Sequence, residues 1–130
     1  MPLPDLLTQS DFVSLHTPLL PETKGMINET ALRSMKRSAY LINSARGPVV
    51  DQAALVRALR ESWIAGAGLD VYDPEPLPKE SPLLSMENVV LSPHMAAHTD
   101  EALLRMAMVV TDVLAVIDGR PPDHPVPAPR

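Results

Sequence analysis

Three residues able to do chemistry occupy equivalent positions, each at or just beyond the close of an apolar run of the kind that forms a buried strand. Arg46 follows Ala39-Tyr40-Leu41-Ile42-Asn43, Asp70 follows Ile64 to Leu69, and His94 comes after Val89-Val90-Leu91-Ser92 and Pro93. Open α/β sheets hold their ligands at the carboxyl ends of their strands. Between the small residues Ala45 and Gly47 a guanidinium is uncrowded, and its fork suits a carboxylate gripped by two parallel charge-assisted hydrogen bonds. An imidazole titrates near neutrality and suits proton exchange with a hydroxyl or carbonyl oxygen. Glu75, in Asp73-Pro74-Glu75-Pro76, is the carboxylate placed to orient it. Asp70, between Leu69 and Val71, is expensive to bury without a partner. Taken singly, each has a plainer reading: an exposed loop arginine, an ordinary loop acid, a histidine beside a helix start, an acid where the sheet ends.

The elements that must position these residues follow from periodicity and punctuation. A helical turn capped by Asp5 runs to Ser10, and a strand from Phe12 to His16 is stopped by Thr17-Pro18. Asn28 caps a helix over Glu29 to Met35, and Ala39 to Asn43 is the next strand. Asp51 opens a helix through Glu61, with Leu55, Ala58 and Leu59 forming a buried stripe. Ile64 to Tyr72 is a strand rich in small residues, Pro74 to Pro82 a loop, and Val89 to Ser92 the last strand. Thr99 caps one long helix from Asp100 to Asp118, ended by Gly119 and Pro121-Pro122. This order, with apolar strands, predicts a parallel sheet covered on both faces. The last helix is apolar almost all round, from Leu103 to Ile117, so part of it is expected to meet another domain or subunit.

Composition excludes several classes. Of 130 residues, 45% are apolar and 21% charged, with a net charge of -5. That balance is globular and offers no basic surface for nucleic acid. There is no cysteine, and the four histidines are scattered along the chain, which disfavours a metal enzyme. No signal peptide opens the chain and no apolar run reaches the roughly 20 residues of a membrane span, so no membrane partner and a cytoplasmic location are expected. No Gly-x-Ser-x-Gly elbow or Gly-x-Gly-x-x-Gly loop is present, and Gly66-Ala67-Gly68 leads into more strand instead of a helix.

Together these segments resemble the D-isomer-specific 2-hydroxyacid dehydrogenases, the family of phosphoglycerate dehydrogenase and glyoxylate/hydroxypyruvate reductase. The resemblance is carried by Leu15-His16-Thr17-Pro18-Leu19, Asn43-Ser44-Ala45-Arg46-Gly47, Gly66-Ala67-Gly68-Leu69-Asp70-Val71, Glu75-Pro76-Leu77-Pro78 and Ser92-Pro93-His94 with Thr99. It implies an α/β fold: a partial Rossmann-type, doubly wound parallel sheet of about four strands with flanking helices. Residues 1–122 would be the carboxyl-terminal part of the dinucleotide-binding domain, and 123–130 a proline-rich tail. The first βαβ phosphate-binding unit would lie before Met1, along with the strand that selects NAD or NADP, so weak dinucleotide binding and no useful turnover are expected of the chain alone.

By the same resemblance, His94 would be the acid/base, Glu75 its partner, and Arg46 the anchor of the substrate carboxylate. Thr17, Ser44, Ala45, Arg46, Asp70, His94, Ala96 and Ala97 would contact the cofactor. The substrate would be a small 2-hydroxy or 2-oxo carboxylate, and the full-length family would be homodimeric. The long apolar helix and an open strand edge beside Phe12 to His16 leave a different reading open, that of a non-catalytic remnant pairing with another chain. One departure from the family is Ser62, where a helix-ending glycine is usual.

Overall fold

The computed structural model describes residues 1–125. Two compact units divide the chain, Met1–Met95 and Ala96–Arg130. The first is built on a four-stranded parallel sheet of β1 (Phe12–Leu15), β2 (Tyr40–Asn43), β3 (Gly66–Leu69) and β4 (Val89–Leu91), in that spatial order. In register, Leu15 lies beside Asn43, Asn43 beside Leu69, and Leu69 beside Leu91. The chain therefore leaves all four strands at one end of the sheet, where the loops carrying Thr17, Arg46, Asp70 and His94 begin.

Three helices accompany this sheet: α1 (Leu3–Gln9), α2 (Glu29–Ser34) and α3 (Gln52–Arg60). Asn28 and Asp51 cap α2 and α3 as expected, accepting from the Ala31 and Ala54 amides at 3.0 Å each. The cap of α1 is Pro2 and not Asp5, which sits in the first turn. Prolines at the start of a helix need no amide partner, so the helix begins earlier than its first acid suggests.

Val13, Leu15, Leu41, Ala67 and Leu69 face a core completed by Leu7, Leu32, Leu55 and Leu59 from the helices. Within this unit, α1 to α3 cover one of the two expected faces. Phe12 is 68% and Val90 74% exposed on the other face, with Tyr40 and Ile42 beside them, and the Phe12 and Tyr40 rings stack at 5.6 Å. The physical reason is that β1 and β2 alternate buried and exposed residues, and α1 to α3 share one core on the buried side. β1 stands at an edge of the sheet, as expected.

In the second unit, the single long helix of the sequence reading is two: α4 (Asp100–Ala107), capped by Thr99, and α5 (Val109–Ile117). The break falls at Met108, whose carbonyl accepts both the Thr111 amide at 2.9 Å and the Thr111 hydroxyl at 2.6 Å. A back-bonded threonine in the β-branched run Val109-Val110-Thr111 tightens that turn. Gly119, at φ 74°, ends α5. Of the expected tail, the Asp123 amide bonds Asp112 at 2.8 Å, and residues 126–130 lie outside the described residues.

Two local features set the backbone of the first unit. Ser62 ends α3 with φ 55°, its amide reaching Leu59 O while the Trp63 amide reaches Ala58 O. This pair of bonds is the Schellman cap that glycine normally serves. Gly47 is pressed against β3's exit: a Cβ there would stand 1.7 Å from the Tyr72 carbonyl oxygen.

Ser62→Gly should therefore raise stability by about 0.5–1 kcal/mol through relief of the left-handed strain. Thermal denaturation checks it, and an unchanged or lowered midpoint would count against this account of the cap. Gly47→Ala should cost about 2–3 kcal/mol, because main chain must shift to admit the methyl; urea unfolding with no fall in midpoint would contradict the contact.

Candidate functional site

The site is assembled from the exits of the strands. After β2, the buried side chain of Asn43 folds the chain over itself: its Oδ1 accepts the Ala45 amide at 3.1 Å and its Nδ2 donates to the Arg46 carbonyl at 3.0 Å. Asparagine at the head of a loop makes such a turn with its own backbone. The side chain of Arg46 is exposed and donates from Nη1 to the Ala45 carbonyl at 2.6 Å. It borders a recess lined also by His16, Thr17, Pro18, Leu19, Ser44 and Ala45.

Thr17 provides a test of what that recess suits. Its Oγ1 is buried and, among the described residues, has no hydrogen-bond partner. Buried hydroxyls are almost always paired, so an unpaired one beside Ser44 and an arginine fits a polar, anionic ligand. These residues are compatible with the dinucleotide that the resemblance implies.

After β3, Asp70 is 6% exposed. Its Oδ1 accepts the Ser92 hydroxyl at 2.6 Å and the Met95 amide at 2.8 Å. This answers the cost of burying the acid, because a buried carboxylate persists when its lone pairs are filled. Tyr72 lies just beyond it, buried, with its hydroxyl 2.6 Å from the Ser92 carbonyl and 3.1 Å from that of Leu69. Burial, reinforced by the negative charges of Asp70 and Glu75, raises the Tyr72 pKa above the ordinary phenol value. The group is a neutral donor across the usual pH range.

After β4, Ser92-Pro93-His94 turns sharply. The His94 amide reaches the Ser92 carbonyl at 3.1 Å, and His94 has φ 54°, a left-handed conformation rare outside glycine and often held at functional sites. Its Nδ1 donates to Glu75 Oε1 at 2.6 Å. A carboxylate only accepts, so Nδ1 carries the proton and Nε2 is left facing away from the acid.

Of the residues expected from sequence, the structure brings His94 and Glu75 into direct contact and ties Asp70 to the same turn. Thr17, Ser44, Ala45 and Arg46 gather around a separate recess, so Arg46 and the imidazole sit on different strand exits. Ala96 and Ala97 open the second unit and are exposed. Sequence reasoning gave no role to Asn43, Tyr72 or Ser92. Asn43 carried a readable signal as an asparagine at a strand-to-loop junction; the other two depend on β3 and β4 being neighbours. Among the described residues no group of histidines and acids could hold a metal ion, and no helix is long and apolar enough to cross a membrane.

The family described as D-isomer specific 2-hydroxyacid dehydrogenase, NAD binding domain, matches residues 1–96. Glyoxylate reductase of Korarchaeum cryptofilum is 55% identical over 125 residues, covering 95% of this chain and 38% of that protein. The crystal structure of TT0316 protein from Thermus thermophilus superposes with a TM-score of 0.91 at 50% identity, covering 98% of this chain and 41% of that one. The D-isomer specific 2-hydroxyacid dehydrogenase of Xanthobacter autotrophicus Py2, solved in complex with NADPH and MES, gives 0.84 at 42% identity, covering 96% and 51%. The chain thus spans only 38% of the length of the first of these relatives. The parallel sheet, the flanking helices and this match over most of its length place the chain in the D-isomer specific 2-hydroxyacid dehydrogenase family, within its NAD-binding domain.

Proposed function

We propose that these residues form the acid/base half of a dehydrogenase site that interconverts a small 2-oxo acid of the glyoxylate type and its 2-hydroxy acid. The observation that carries this reading is the 2.6 Å bond from His94 Nδ1 to Glu75 Oε1, made by a histidine in a left-handed turn at the end of β4. With Nδ1 committed to the carboxylate, Nε2 is the atom that exchanges a proton with the substrate's C2 oxygen. In reduction the imidazolium gives up that proton, and in oxidation the neutral ring takes it back. Glu75 fixes the ring's tautomer and orientation. Arg46 pairs with the substrate carboxylate and draws charge toward the 2-oxo group.

Thr17, Ser44, Ala45, Asp70, Ala96 and Ala97, with Arg46 and His94, contact NAD or NADP on this reading. The nicotinamide, when bound, supplies or accepts hydride at substrate C2. The reading further holds the enzyme to be a cytoplasmic homodimer when full length. The 130 residues contain no glycine-rich phosphate loop, so by themselves they bind dinucleotide weakly and turn nothing over. A second reading, association with another chain without catalysis, draws support from the exposed apolar residues of the second unit, such as Leu104 at 67% and Ile117 at 73%.

The test joins this chain to the preceding segment of the Korarchaeum relative and follows NADH oxidation with glyoxylate or hydroxypyruvate. The fused protein should turn over and the unfused chain should not, while His94→Gln in the fusion should lower kcat by at least about 100-fold. Full activity in that variant would remove His94 from the chemistry. An inactive fusion, with the unfused chain forming a defined oligomer, would favour association.

A further inference from the structure

We propose that Tyr72 is a positioning residue for His94, its hydroxyl holding the Ser92 carbonyl from which the His94 turn hangs. The inference rests on the reading of His94 as the proton-exchanging group.

The side chain of His94 is 47% exposed, so packing does little to aim it. What aims it is the backbone turn on one side and the bond to Glu75 on the other. The turn itself is intrinsically unfavourable, because a Cβ-bearing residue at φ 54° crowds its own carbonyl. It persists only if the main chain on both sides is fixed.

After His94, the anchor is the Met95 amide on Asp70 Oδ1, at 2.8 Å. Before it, the anchor is Ser92. The Ser92 amide reaches the Leu69 carbonyl at 3.0 Å, and its hydroxyl reaches Asp70. Its carbonyl accepts both the His94 amide at 3.1 Å and the Tyr72 hydroxyl at 2.6 Å. The Tyr72 bond is the shorter of the two, and it comes from a phenol 7% exposed and seated in the core. A carbonyl held from outside the turn gives the His94 amide a fixed target. Phenylalanine would fill the same space yet leave that carbonyl free to rotate, and the imidazole would lose its alignment with Glu75 Oε1.

The readout is the tautomer of the neutral His94 ring, followed by nitrogen-15 NMR of the histidine-labelled 130-residue chain. Free imidazole favours the proton on Nε2; in this protein the proton belongs on Nδ1. Tyr72→Phe should shift His94 from predominantly Nδ1–H to predominantly Nε2–H, with His16 and His124 unchanged. Retention of the Nδ1–H form in a folded Tyr72→Phe chain would overturn the proposal. Glu75→Leu calibrates the signal by removing the acceptor oxygen.

If Tyr72→Phe does not fold, the two tyrosines of the unaltered sequence can be replaced by fluorotyrosine. Ionising the residue-72 phenol then switches off its donor. Loss of the Nδ1–H form along that fluorine titration supports the proposal, and its persistence beyond the titration overturns it. Neither measurement depends on turnover: an inactive fusion protein with the tautomer response intact would reject the catalytic reading and leave the positioning role standing.

Discussion

The Asp70 carboxylate is the point on which the functional end of this sheet depends. It is buried, and an unpaired charge there would cost several kcal/mol. The Ser92 hydroxyl and Met95 amide lie on either side of His94 in sequence and meet the same oxygen, Oδ1. A single acid therefore converts the exit of β3 into a mould for the exit of β4. Parallel strands have no hairpin to fix their ends, so side-chain bonds of this kind must do what a tight turn does elsewhere.

A second constraint fixes the neighbouring loop by exclusion instead of attraction. Gly47 lets the chain leaving β2 lie directly on the Tyr72 carbonyl, while Asn43 bonds both the Ala45 amide and the Arg46 carbonyl. The Gln52 side chain then accepts the Asp73 amide at 3.1 Å, tying α3 to the segment that carries Glu75. Arg46 and Glu75 are thus referred to one piece of backbone although they line different recesses. The freedom left in the site is that of exposed side chains, chiefly the Arg46 guanidinium and the His94 ring.

Much of this was legible in the sequence, and for physical reasons. Strands and helices of the first unit begin and end within a few residues of the expected points because Pro18, Asn28, Asp51 and the small-residue run at Gly66 act locally. Glu75 was named as the partner of His94 from residue type and strengthened by the family resemblance, since nothing local links residues 19 apart. That α1 to α3 all take one face escaped the reading because apolar content does not reveal which face a helix will occupy. The break at Met108 escaped it because it turns on one hydroxyl of Thr111. Tyr72 looked like one more apolar strand residue; its hydroxyl matters only once β3 and β4 lie side by side. Arg46 was recognised as a residue but not in its conformation, for its bond to Ala45 O is decided by side-chain rotation.

The strand order has a consequence for how the unit is made. Spatial order and chain order coincide, β1 to β4, so each strand after the first emerges during synthesis with its pairing edge already formed. No strand must wait for a later segment to be inserted between two earlier ones, and each crossover joins strands that are neighbours in the sheet. Assembly can proceed vectorially, by addition at one growing edge. The histidine turn belongs to the last strand added, so His94 is set in place only after the acid that moulds it.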